Sequence, residues 1–130
     1  MWMAWSGSAA SGVRSVSATT EWRRAWPFAG RTFQGVIVTN YLWRALVPQI
    51  VGSVAPGGAL IYETFAAGNE TVGKPSRPDF LLQPGELLQA CRDLRVVAYE
   101  DGFLDEPPRF VQRIAAVRPL AAERTARYRL

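Results

Sequence analysis

The sequence predicts an α/β domain on a mostly parallel sheet, with an antiparallel strand at its carboxyl-terminal end and helices on both faces. Three observations lead there. Two apolar runs, Gly35 to Tyr41 (GVIVTNY) and Ala59 to Phe65 (ALIYETF), are continuous rather than alternating, as strands covered on both faces are. Between them Leu42, Ala45, Leu46, Ile50, Val51 and Val54 recur at spacings of three and four, the pattern of one helix face. Strand, helix and strand in that order form a crossover unit that joins parallel strands.

Each element follows from local chemistry. Phe33 to Thr39 is the first clear strand. Pro48 breaks a helix interior, so the helix after this strand either kinks or restarts with Pro48 in its first turn. Ala55 to Gly58 (APGG) should end that helix, because proline cannot extend it and glycine supplies the left-handed turn. Ala59 to Glu63 is the second strand. Ala66 to Phe80 is a long loop, and long loops in compact domains tend to be functional. Pro84 to Cys91 reads as a helix with Glu86 placed well for the helix dipole. Leu94 to Glu100 is a third strand, Asp101 and Gly102 open a turn, and Pro107 and Pro108 block pairing there. Phe110 to Val117 is the last strand and returns antiparallel beside its predecessor.

The ends differ in character. Residues 1–12 show no period and read as poorly ordered, residues 13–118 as the domain, and residues 119–130 as a basic tail. Val13 to Val16 is a thin candidate for a short strand, and Trp26, Pro27 and Phe28 an apolar plug beneath the sheet. The net charge of +4 comes from arginine, since Lys74 is the only lysine. Terminal arginines of this kind are more often solvated than bound to nucleic acid, so nucleic acid is the weaker reading. No apolar stretch approaches a membrane span, and the opening residues make a poor signal peptide, which leaves the cytoplasm as the default location.

Chemistry is limited by what is missing. The chain contains no histidine, which removes histidine triads and the commonest zinc ligand sets, and no metal is expected. Cys91 is the single cysteine, so no internal disulfide forms. It follows Leu87 at helical spacing and reads as a small buried hydrophobe. Candidate site residues lie where open α/β sheets bind ligands, at the carboxyl ends of the strands. Thr39, Asn40 and Tyr41 end one strand, and Glu63 and Thr64 end the other. Glu63 could bind an amine or act as a base, although a solvated carboxylate is the commoner outcome. Asn69 and Glu70 could belong to a lid over that edge, and Trp43 reads as a core or helix-face aromatic.

The stretch Phe33 to Leu42, the helix after it, and Val54 to Phe65 with its Pro-Gly-Gly resemble the carboxyl half of class I S-adenosylmethionine-dependent methyltransferases. Pro78 to Leu88 (PDFLLQPGELL) is similar to the following helix of small bacterial members, and the resemblance extends over residues 13–118. It implies a Rossmann-like sheet in which residues 94–117 form the closing hairpin. It also implies S-adenosyl-L-methionine as cofactor, with Thr39, Asn40 and Tyr41 facing the methyl donor and Glu63 and Thr64 the acceptor. The acceptor itself is not implied.

The sequence departs from the family at its amino-terminal end. The glycine-rich cofactor loop has no match, since Gly7 to Gly12 follows no apolar strand. No acidic residue is found for the ribose hydroxyls. Ala18 to Glu21 (ATTE) puts Thr19 where an aspartate is expected to hold the adenine amine. With the family's first two strands missing, Val36 to Val38 should become an exposed edge, open to self-association or to another protein by strand addition. A truncated, inactive enzyme is thus one expectation, and a non-catalytic interaction module using that edge is the other.

Overall fold

The computed structural model describes residues 2–5, 14–16 and 26–121, with side chains described from Trp26 onward. Among the described residues six strands form one sheet: β1 (Trp2–Trp5), β2 (Arg14–Val16), β3 (Phe33–Thr39), β4 (Val54–Phe65), β5 (Arg95–Asp105) and β6 (Pro108–Val117). The order across the sheet is β2-β1-β3-β4-β6-β5. The described residues also form two short helices, α1 (Val47–Gly52) and α2 (Glu86–Ala90), and single 3-10 turns at Arg44–Leu46, Asn69–Thr71 and Pro78–Phe80.

The architecture is α/β, but the sheet is mixed rather than mostly parallel. Among the described strands β3 and β4 are the one neighbouring pair that is parallel, in a register that pairs Val36 with Leu60 and Val38 with Tyr62, and every other pairing is antiparallel. Pro48 lies in the first turn of α1 as expected. The helix ends before the Pro-Gly-Gly, however. Ser53 stops it by donating its hydroxyl to Ile50 O at 2.7 Å, and Ala55 to Gly58 already belong to β4. There the β3–β4 register slips between Phe33 and Gly35. Gly58 sits so close to β3 that a Cβ would meet Gln34 O and Phe33 O at 2.9 Å and Ala55 O at 2.8 Å. The Pro-Gly-Gly therefore shapes the entry of a strand instead of capping a helix.

The closing hairpin forms, with β6 between β4 and β5 and antiparallel to both. Its turn is displaced from the expected place. β5 runs through Asp101 and Gly102 to Asp105, the reversal is at Glu106 and Pro107, and Asp105 pairs with Pro108. Proline is tolerated there because it occupies the first position of a strand.

Two expectations fail at the amino-terminal end. Trp2–Trp5, read as poorly ordered, is a strand. It pairs antiparallel with β3, Trp2 opposite Val38 and Trp5 opposite Gly35, so Val36 to Val38 is not the open edge the sequence suggested. Arg14–Val16 is the short outer strand, beside β1. Gly7 to Gly12, Thr19 and the arginines beyond residue 121 lie outside the described residues.

A further correction concerns the layers. Val36, Val38, Leu60, Tyr62, Ile114 and Ala116 are buried in one cluster with Ile50 and Val51 of α1 and Leu87 of α2. Both helices thus cover the same face, joined by Phe28 and Phe33, whose rings meet edge-on at 5.2 Å. The intervening residues point the other way, and Ile37 and Ile61 remain 39% and 50% exposed. Among the described residues no helix covers that second face. A continuous apolar run shows that both sides of a strand are oily, not that both are buried, which is why the expectation of helices on both faces fails.

Candidate functional site

The carboxyl ends of the parallel pair meet at one rim. Asn40 N donates to Glu63 O at 2.9 Å, extending the ladder one step past β3. Asn40 adopts a left-handed conformation, with φ of 52°, which asparagine tolerates better than most residues. This turn lifts its exposed side chain out of the sheet. Thr39 is half-buried one residue earlier. Tyr41 packs against the core cluster and its carbonyl accepts the hydroxyl of buried Tyr62 at 2.7 Å. Of the three residues, Asn40 therefore reaches furthest toward solvent.

Glu63 and Thr64 diverge, as neighbours on a strand must. Thr64 faces the helices and is 2% exposed, so only Glu63 presents a side chain at the open face. There it accepts Arg113 Nε at 2.7 Å, and the same guanidinium donates to Glu100 at 3.2 Å. Arg113 stands opposite Glu63 on β4 and opposite Glu100 on β5, so a carboxylate–guanidinium–carboxylate row crosses three strands. Glu100 first, then Glu63, hold the Arg113 guanidinium in its charged form and raise its pKa.

The long loop is strapped down. Asn69, 1% exposed, donates to Pro75 O at 3.0 Å and accepts the Phe110 N–H at 3.1 Å. Glu70 closes a local turn by accepting Gly68 N–H at 2.8 Å. Neither side chain is arranged as part of a hinged lid. Cys91 is fully buried, and desolvation pushes its thiol up to about 11, which suits packing and not nucleophilic attack. Among the described residues no cluster of metal-ligating side chains occurs, and no helix is long and apolar enough to cross a membrane.

Three residues that organise this region carry no motif in the sequence. Arg44 fastens the segment after β3 to the loop after β4, donating to Asp79 O at 2.9 Å and Leu81 O at 2.8 Å. Gln112, 0% exposed, bridges Gln83 O and the Leu87 N–H, seating α2 on β6. Arg113 completes the group. Gln112 did leave a trace, as a polar side chain two residues before Ile114 and four before Ala116, on a strand face that is otherwise apolar there.

No family model matches the chain, and no curated protein matches it in sequence. Among solved structures, TehB from Haemophilus influenzae superposes with a TM-score of 0.52 at 19% identity. The match covers 68% of this chain and 36% of TehB. Over the matched part the chain is similar in fold to TehB. At this identity the likeness carries the fold alone, and the chain spans little more than a third of the TehB chain's length.

The strand on the other side of β3 governs what this rim can hold. The neighbour of β3 on the side away from β4 is β1, which runs antiparallel to it. Beside Asn40 lies the beginning of a strand, Trp2, and not the end of one leading into a loop and helix.

Proposed function

We propose that this chain is a methyltransferase-derived domain of the S-adenosylmethionine-dependent type that keeps the acceptor side of the site and, among the described residues, presents no donor cradle. The supporting observation is the rim where Asn40 N–H and Glu63 O join the ends of two parallel strands. Ligands of open α/β sheets bind at such strand ends, and the likeness in fold to TehB and the resemblance of residues 33–65 to methyltransferases support the reading.

The described residues do not fit the whole of S-adenosylmethionine. Thr39 and Asn40 offer a hydroxyl and an amide, and Tyr41 an aromatic wall. Its amino acid and ribose need a loop of backbone N–H groups after a parallel strand, and the antiparallel β1 offers none at that position. No transfer step is therefore assigned to this chain alone. What its residues do is present Asn40 and a charge-balanced Glu63–Arg113 pair at a rim held rigid by Arg44 and Asn69.

Calorimetric titration of the purified chain with S-adenosylmethionine tests this reading. Affinity weaker than ~1 mM, about −4 kcal/mol, is expected. Saturable binding at micromolar donor would mean that a complete cradle exists.

A further inference from the structure

A groove between α1 and α2 runs along the helix-covered face, separate from the rim, and encloses about 420 Å³. That volume is within the range of small-molecule sites, whereas close-packed interiors leave few voids larger than a water. Its walls are apolar, built from Leu42, Val47, Val51, Leu82, Leu87 and Ala90. Five charged side chains border it: Arg44, Glu86, Arg92, Asp93 and Arg118.

The charges are distributed unevenly. Arg44 and Glu86 neutralise each other in a two-point ion pair at 2.7 and 3.0 Å, at the end nearer the rim. At the other end Arg118 is fixed by two carbonyls, donating to Val54 O at 2.7 Å and Val51 O at 2.9 Å. Among the described residues no carboxylate lies within ion-pair distance of Arg92 or Arg118. Asp93 is the only lining carboxylate outside a pair, so the groove carries an excess positive charge beside an apolar floor.

We infer that this groove binds a small amphipathic carboxylate, its hydrocarbon body laid between α1 and α2 and its carboxylate against Arg92 and Arg118. Guanidinium groups suit carboxylates through paired, charge-assisted hydrogen bonds, and the helix walls supply the desolvated surface. A cationic or uncharged amphiphile of the same length would find the same walls without the complementary charge. The inference does not rest on the methyltransferase reading, because Arg92 and Arg118 line the groove and not the Asn40–Glu63 rim, and Arg44, which braces the rim, is already neutralised by Glu86.

The test is a series of amide-resolved NMR titrations of the ¹⁵N-labelled chain with octanoate, octanol and octylamine. Octanoate is expected to saturate, to shift amides of residues 49–52 and 86–93, and to bind ~5-fold or more tighter than octanol, with octylamine weakest. Arg92→Gln should bring octanoate close to octanol. Val47→Trp should fill the groove and abolish saturation while circular dichroism and the melting temperature stay near wild type. Ala90→Trp serves the same purpose if Val47→Trp does not fold. The inference is overturned by equal affinity for all three probes, by no saturable shift, or by shifts centred on Ile37 and Ile61.

Discussion

Arg44 and Glu86 are held in a two-point contact, Nε to Oε1 at 2.7 Å and Nη2 to Oε2 at 3.0 Å, across a sequence separation of 42 residues. Glu86 Oε2 also accepts the Gln83 N–H at 2.7 Å. Partial burial pushes the Glu86 carboxyl up, but the Arg44 hydrogen bond and the Gln83 N–H outweigh it, and its pKa lies below the ordinary 4.5. A carboxyl lowered on folding contributes stability that is complete above its unfolded value and lost as pH falls through the folded one. Glu86→Gln is therefore expected to cost about 1 kcal/mol at pH 7 and to narrow its deficit below pH ~4, where the wild type has lost the same contribution. Urea unfolding across pH 3–7 measures it. A deficit that does not change with pH would show that the pair adds nothing.

Gly58 is the position where a methyl group matters most. Its Cβ would press on three backbone oxygens at 2.8–2.9 Å, none at the end of a flexible side chain. Gly58→Ala is expected to destabilise by ~2–4 kcal/mol, whereas Gly73→Ala, where a Cβ meets nothing within 4 Å, should change stability by under ~0.5 kcal/mol. Thermal melts of the two variants separate a packing role for the Pro-Gly-Gly from a merely flexible one.

Tyr62 couples the core to the rim. Its hydroxyl donates to Tyr41 O at 2.7 Å, and burial, with Tyr41 adding to it, raises its pKa well above the usual 10. A tyrosine raised on folding contributes stability that is complete below the unfolded value and is lost as pH climbs toward the folded one. The chain should therefore lose stability above pH ~10, and Tyr62→Phe should flatten that alkaline limb while costing ~1 kcal/mol at pH 7. Identical alkaline limbs for the two proteins would exclude Tyr62 as their source.

Much of this could be read in the sequence, and the failures have physical causes. Phe33–Thr39 is found as expected, Pro48 does open α1, and the last strand does return antiparallel. These depend on short-range signals: apolar runs, a fixed φ, a reversal. Whether a face is covered depends on how many helices there are to cover it, which no strand's own residues encode. The pairing of Trp2–Trp5 with β3 joins segments some thirty residues apart in a stretch with no period of its own. Asn40 and Glu63 do come together, because parallel register brings strand ends level. Thr64 was separated from Glu63 by the two-residue alternation of any strand, a distinction available in the sequence once the inward face is known.

The uncovered face makes its own prediction. Ile61 and Ile37 are 50% and 39% exposed, so replacing both with threonine should cost under ~1 kcal/mol in urea unfolding and reduce aggregation on concentration. A loss above ~3 kcal/mol would mean that the two side chains are buried in solution.

The direction of Trp2–Trp5 decides whether a donor cradle can stand beside Asn40. NOE spectra of the labelled chain read it directly. An antiparallel β1 should give Hα–Hα contacts between β1 and β3 in the register that sets Trp2 opposite Val38 and Ala4 opposite Val36. A parallel pattern of contacts, or none between residues 2–5 and β3, would contradict the account.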